Sequence, residues 1–187
     1  MENRIQETVK KMNGIDSEFI NSKIKKVLKK MSVKSSTDLE NLKDLVYSLY
    51  CKDYKQEFYS LCPILIEFEY KDWNTWNWCE SMLALMYFDS KRTGDQLHLA
   101  DTALNKIFAQ QDIKIMKRKC DGSILVGRKT KLDQAKELGK KTNIRNYLLS
   151  YLVELIIVYA YGGSEKYSLT FLESEILKSI DELNSIF

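Results

Sequence analysis

Residues 144–163 read IRNYLLSYLVELIIVYAYGG, and the class of the whole chain turns on them. Ile144, Tyr147, Leu148, Tyr151, Leu152, Leu155, Ile156 and Tyr159 recur at steps of three and four, the period of one face of an α-helix, where a half-buried strand would alternate every second residue. Gly162-Gly163 then stops the run. The stretch 147–161 holds one charge, Glu154, which invites comparison with a membrane span. It is shorter than the roughly 20 residues a bilayer needs and carries its carboxylate at the centre, so no membrane partner is expected.

The same period runs outward in both directions. Toward the carboxyl end, Leu169, Leu172, Ile176, Ile180 and Leu183 predict a last helix. Toward the amino end, Leu132, Ala135 and Leu138 predict a short helix ended by Gly139, and Leu97, Ala100, Leu104, Ile107 and Phe108 another, entered through the turn Thr93-Gly94-Asp95. Residues 75–91 are apolar on almost every side from Trp76 to Phe88, as a central helix is. Phe58, Leu61, Cys62, Leu65 and Phe68 fit a helix that Pro63 must kink or break. Leu42, Leu45, Val46, Leu49 and Tyr50 follow a capping box at Thr37-Asp38-Leu39-Glu40. Ile20, Ile24, Val27, Leu28 and Met31 oppose a lysine face, and residues 1–14 are left as a flexible lead. The expectation is an all-α protein, a single domain of seven or eight helices in an antiparallel bundle or a short stack of helical hairpins. A chain of 187 residues suits one domain, or at most two tightly packed halves.

Residues 111–130 break the pattern. Lys114, Lys117, Arg118, Lys119, Asp121-Gly122, Gly127 and Arg128 show no apolar stripe, so a basic non-helical insertion is expected there, with Asp121-Gly122 closing a small hairpin between Ile113-Ile115 and Ile124-Val126.

Charge is uneven. The net value is +3, but residues 1–34 carry +5, 35–110 carry −5, 111–145 carry +7 and 164–187 carry −3. Such a bipolar chain is built to meet another macromolecule. Lys117, Arg118, Lys119, Arg128 and Lys129 are the expected contacts for an acidic partner, and Trp73, Trp76 and Trp78 for a second surface, since tryptophan anchors interfaces. Trp76 and Trp78 sit about 200° apart on a helix and cannot share one face. Nucleic acid held by the basic blocks 1–34 and 111–145 is the alternative. Eight lysines against three arginines in 111–145, without interleaved aromatics, argue against it.

Signs of chemistry are sparse. Cys51, Cys62, Cys79 and Cys120 lie 11, 17 and 41 residues apart without a CxxC, and His98 is the one histidine, so no metal site and no cofactor are expected. No charged leader with an apolar run opens the sequence, which points to a cytoplasmic protein with reduced thiols. Residues 122–130, Gly-Ser-Ile-Leu-Val-Gly-Arg-Lys-Thr, fall one residue from the phosphate-loop pattern, but a charged segment precedes them where a buried strand is required. Glu154 is the sole acid of the apolar stretch 147–161 and Glu80 the sole acid of the apolar run from Trp76 to Phe88, and with His98 they are the expected buried polar groups. Either the two glutamates meet and raise one another's pKa, as a small enzyme or ligand-binding protein would use them, or each takes a hydrogen bond or a cation such as Arg92 or Arg145 and fixes helix register.

Two short strings resemble known families. The Gly94-Asp95 turn is similar to the corner of a tetratricopeptide hairpin, although Leu99, Ala103 and Lys106 occupy the positions where small, aromatic and small residues belong, and no copy recurs at 34 residues. Trp76-x-Trp78-x-Glu80 resembles a string of some helical immunity proteins of bacterial toxin systems. The reading that results is a non-catalytic protein-binding module, an inhibitor or immunity-type protein that occludes a partner, or an adaptor.

Overall fold

The computed structural model describes residues 42, 45–47, 49–51, 53–62, 65, 73–94, 97–110 and 112–186, with backbone only at 56, 60 and 73–78. The lysine-faced helix at 20–31, the capping box at 37–40 and the flexible lead at 1–14 lie outside the described residues. The helices with defined limits are α1 Lys55–Leu61, α2 Trp73–Thr93, α3 Leu97–Ala109, α4 Ile113–Cys120, α5 Leu125–Leu138, α6 Lys141–Ala160 and α7 Leu169–Ile186. No strand occurs among the described residues, and the protein is all-α.

The chain divides into two compact units, Met1–Met82 and Leu83–Phe187. In the first, Leu42, Leu45, Val46, Leu49 and Tyr50 are helical and buried, the stripe their spacing predicts. This segment ends at a turn in which Asp53 takes φ 62°, with Asp53 N–H donating to the Tyr50 carbonyl and Tyr54 N–H to that of Leu49. Aspartate is among the few side chains that tolerate this left-handed conformation. The rings of Tyr50 and Phe58 then lie 5.1 Å apart, within the range for aromatic pairs. α1 stops at Leu61, two residues before Pro63, where a proline ring would collide with the helix. The buried Cys62 thiol donates to the Met82 carbonyl at 3.4 Å, and burial pushes its pKa well up.

The second unit is organised around α6. Every residue from Leu148 to Val158 except Ser150 is buried; α6 packs against α4, α5 and α7, so the stripe read from the sequence widens to the whole circumference. Short turns at Gly139 (φ 66°) and at Gly162-Gly163 (φ 85° and 87°) reverse the chain between consecutive helices, as antiparallel packing requires. Gly94, just past the end of α2, takes φ 76°.

The expected non-helical insertion is not there. Residues 113–120 and 125–138 are helical, and Asp121-Gly122 turns between two helices instead of closing a hairpin. The reason is visible in which side chains point inward. On α4 they are Lys119 and, in part, Met116 and Cys120, while Ile113 is 87% exposed and Ile115 is exposed too. On α5, Leu125, Leu132 and Ala135 are buried, with Arg128 on the same stripe at the i+3 position and Val126 outside. Apolar periodicity fails because cations hold inward positions and isoleucines outward ones.

Candidate functional site: a buried ion cluster and a basic groove

The α4 helix starts where Asp112, in extended conformation, accepts a hydrogen bond from Lys114 N–H at 2.8 Å, the standard N-cap exchange. It ends in a tight turn. Asp121 Oδ1 accepts from Ser123 N–H at 2.8 Å, and the Ser123 hydroxyl donates to the Arg118 carbonyl at 3.0 Å. The Ser123 N–H, and to a lesser degree its hydroxyl, lower the Asp121 carboxyl pKa from its ordinary value. Gly122 takes φ 79° with the Tyr167 ring against it, so that a Cβ would stand 2.8 Å from Tyr167 carbons. The turn therefore accepts glycine alone, on conformational and on steric grounds.

This geometry aims Lys119 at the core. Its Nζ lies 2.9 Å from Glu154 Oε1, with the two side chains 4% and 2% exposed. Arg128 Nε comes within 3.8 Å of the same oxygen. Two cations, one from α4 and one from α5, thus converge on the single carboxylate of α6. Glu154 Oε2 and Arg128 Nε, both buried, make no hydrogen bond among the described residues. A carboxylate alone in this environment would cost several kcal/mol; the lysine is what makes it tolerable. The arrangement fixes α4 and α5 on α6, the register role weighed for Glu154 from sequence, with Lys119 as the cation in place of Arg92 or Arg145. Arg92 instead reaches Glu173 on α7 at 3.6 Å.

Outside this cluster lies a groove of about 860 Å³. Ile113, Met116, Lys117 and Cys120 of α4, an i, i+3, i+4, i+7 stripe, form one wall. Tyr161, Ser164 and Lys166 from the segment after α6 form the other. That segment is tied down by Gly163 N–H to the Val158 carbonyl, and by Ser164 and Tyr167 exchanging backbone hydrogen bonds. On the groove floor the Cys120 thiol and the Tyr161 hydroxyl are hydrogen-bonded. Burial pushes the Cys120 pKa up against the lowering effect of that bond, and burial likewise raises Tyr161. The thiol is held protonated, the opposite of what a nucleophilic cysteine requires.

The other expected residues fall as follows. Lys117 and Arg118 are exposed. Lys119, expected to face a partner with them, is buried in the ion cluster, because it lies on the inward side of a helix and not in a loop. Arg128 is about one-third exposed and turned toward Glu154. Lys129 pairs with Asp133 one turn on, at 2.6 Å. Gly127 and Thr130 are inside α5, where the Thr130 hydroxyl bonds the Val126 carbonyl at 2.9 Å, so the phosphate-loop resemblance has no loop behind it. His98, expected among buried polar groups, is exposed; it stands two positions from Ala100, hence about 200° away from the buried stripe Ala100, Ala103 and Ile107. Glu80 is buried in the first unit and Glu154 in the second. Trp73, Trp76 and Trp78 belong to α2, with side chains outside the description. Sequence reasoning missed Tyr161, Ser164 and Lys166, which sit in a turn with no periodic signal beyond the two glycines that announce it.

Among the described residues no group of three or more His, Cys, Asp or Glu side chains is placed to hold a metal ion, and no helix is long and apolar enough to cross a membrane. No curated protein and no solved structure matches the chain. Residues 2–185 match DUF6707, described as a family of unknown function, and over that span, nearly its full length, the chain belongs to that family.

Proposed function

We propose that this protein is a non-catalytic module that binds another protein through the basic outer face of α4 and the groove beside it. An inhibitor or immunity-type protein that occludes its partner in the cytoplasm fits this reading, as does an adaptor. One observation carries it: the charge of the 111–145 block is sorted. Lys119 and Arg128 turn inward to Glu154, while Lys117 and Arg118 are exposed and form no ion pair among the described residues. Exposed cations outside close ion pairs steer an acidic partner and set its orientation. Burial raises the pKa of the groove's thiol and phenol, which disfavours a thiolate nucleophile there.

The test is capture of the partner from the native host with the full-length chain, repeated with the double variant Lys117→Glu/Arg118→Glu. Loss of the complex from a folded variant supports the reading; an unchanged complex removes this face from it. Nucleic acid is the rival, and random duplex DNA separates the two: micromolar binding with a steep fall in affinity as salt rises would favour it.

A further inference from the structure

We propose that α4 is a latch that opens on its own: Lys119 leaves Glu154, Arg128 takes its place on the carboxylate, and residues 113–120 lift away while α5, α6 and α7 stay folded. The inference goes beyond the binding reading. It concerns when the α4 surface exists, since Lys117 and Arg118 are held in one arrangement only while α4 is docked.

Burial sets α4 apart from its neighbours. α5 is anchored by Leu125, Leu132 and Ala135, and α7 by Leu172, Ile176, Ile180 and Leu183. On α4 the one buried side chain is Lys119, with Met116 and Cys120 half-buried. α4 has 8 residues, and isolated helices shorter than roughly 12–15 residues are marginal in water. Its order is therefore borrowed from what docks it, and the buried part of that docking is one ion pair.

The two ends of α4 differ. At the carboxyl end, buried Gly122 lies against the Tyr167 ring and Leu125 is buried in α5, which pins the turn. At the amino end Asp112 is exposed, its side chain bonded only to the backbone of its own helix, and Ile113 is 87% exposed. The pivot is therefore the Asp121-Gly122 turn.

Breaking a buried ion pair ordinarily strands a charge, which opposes such an opening. Here a second cation stands ready. Arg128 belongs to α5, with Nε 3.8 Å from Glu154 Oε1. Arg128 Nε and Glu154 Oε2 each lack a hydrogen bond among the described residues. When Lys119 withdraws into water, that donor and that carboxylate can close on one another, a charge-assisted bond that keeps Glu154 compensated in the open form.

The experiment is native-state amide hydrogen exchange of the full-length chain in low urea. The amides from Met116, which donates to the Asp112 carbonyl, to Asp121, which donates to that of Lys117, report α4. Corrected for intrinsic rates, they should exchange at least about tenfold faster than those of α6, with a shallower dependence on urea. Arg128→Met then decides the exchange of cations. It removes the group that receives the carboxylate in the open form, so exchange at 116–121 should slow by about fivefold or more. An arginine that only supports the closed cluster would act the other way, and its loss would speed exchange there. One opening free energy and one urea slope shared by α4 and α6 would mean that α4 leaves only with the whole unit, and would overturn the latch. Exchange at 116–121 left unchanged or made faster by Arg128→Met would overturn the handover of Glu154, and the proposal with it. None of these outcomes bears on the binding reading, which Lys117→Glu/Arg118→Glu tests separately.

Discussion

Replacing Lys119 with methionine probes the ion cluster most sharply, since methionine keeps an unbranched side chain only one atom shorter and removes the charge with its hydrogen-bond donors. Lys119 and Glu154 are 4% and 2% exposed and 2.9 Å apart, and removing one member of such a buried pair costs about 3–5 kcal/mol. Arg128, 3.8 Å from the same oxygen and about one-third exposed, stays beside the carboxylate and offsets part of the loss, which puts Lys119→Met at about 3 kcal/mol. For a chain of this size that is a fall in Tm of about 6–12 °C. Glu154→Leu leaves two cations without their carboxylate and should cost about 4–5 kcal/mol. The double variant Lys119→Met/Glu154→Leu removes the buried pair altogether and should be less destabilised than Glu154→Leu alone, with a non-additivity of at least about 2 kcal/mol. Urea titration gives the free energies, and amide hydrogen exchange along α6 locates the loss in the second unit. Additivity within about 0.5 kcal/mol, or a Lys119→Met cost below about 1 kcal/mol, would refute the cluster.

Three further outcomes follow from the same geometry. Gly122→Ala meets both a positive φ and the Tyr167 ring at 2.8 Å and should cost about 2–3 kcal/mol, while Gly127→Ala, inside α5 with open space around it, should stabilise by about 0.5–1 kcal/mol; thermal melts of the two variants should shift in opposite directions. Cys62, Cys120, Tyr151 and Tyr161 all have pKa values raised above their ordinary 9.0 and 10.0, chiefly by burial. Their contribution is therefore complete below about pH 9 and is lost as pH rises toward the folded values, because the native state then holds protons that the unfolded chain releases. Urea midpoints should fall from about pH 9 upward, and a flat profile to pH 11 would contradict the assignment. Iodoacetamide at pH 8 should alkylate Cys120 more slowly than a free thiol, and Tyr161→Phe, which removes the hydrogen bond that lowers the Cys120 pKa, should slow it further.

Most of the fold was legible because its inward positions are apolar. The stripes at 42–50 and 172–183, and the all-round apolar run at 79–88, are buried as their spacing requires. The failure is local and has one cause. α4 and α5 place Lys119 and Arg128 inward and Ile113, Ile115 and Val126 outward, and a reading by hydropathy sends every lysine to water. A signal was nonetheless present, since Glu154 alone in an apolar helix demands a cation, and the +7 block precedes it directly. With the neighbouring block read as a loop, that demand falls on Arg92 or Arg145. The groove was less legible still: its second wall is a turn, where neither period applies. Lys117 and Arg118 were found from charge alone, and Lys166 was not, since a single lysine in an acidic tail carries no pattern.

Amine acylation of the folded chain, mapped lysine by lysine by mass spectrometry, tests the sorting of charge most directly, because it sets Lys119 against neighbours two and five residues away. Lys114 and Lys117, both exposed, and Lys166 should be modified rapidly, and Lys119 only after urea unfolds the protein. Lys119 modified at the rate of Lys117 in the native state would mean that the cation faces solvent, and the buried cluster with Glu154 and the face it organises would both be lost.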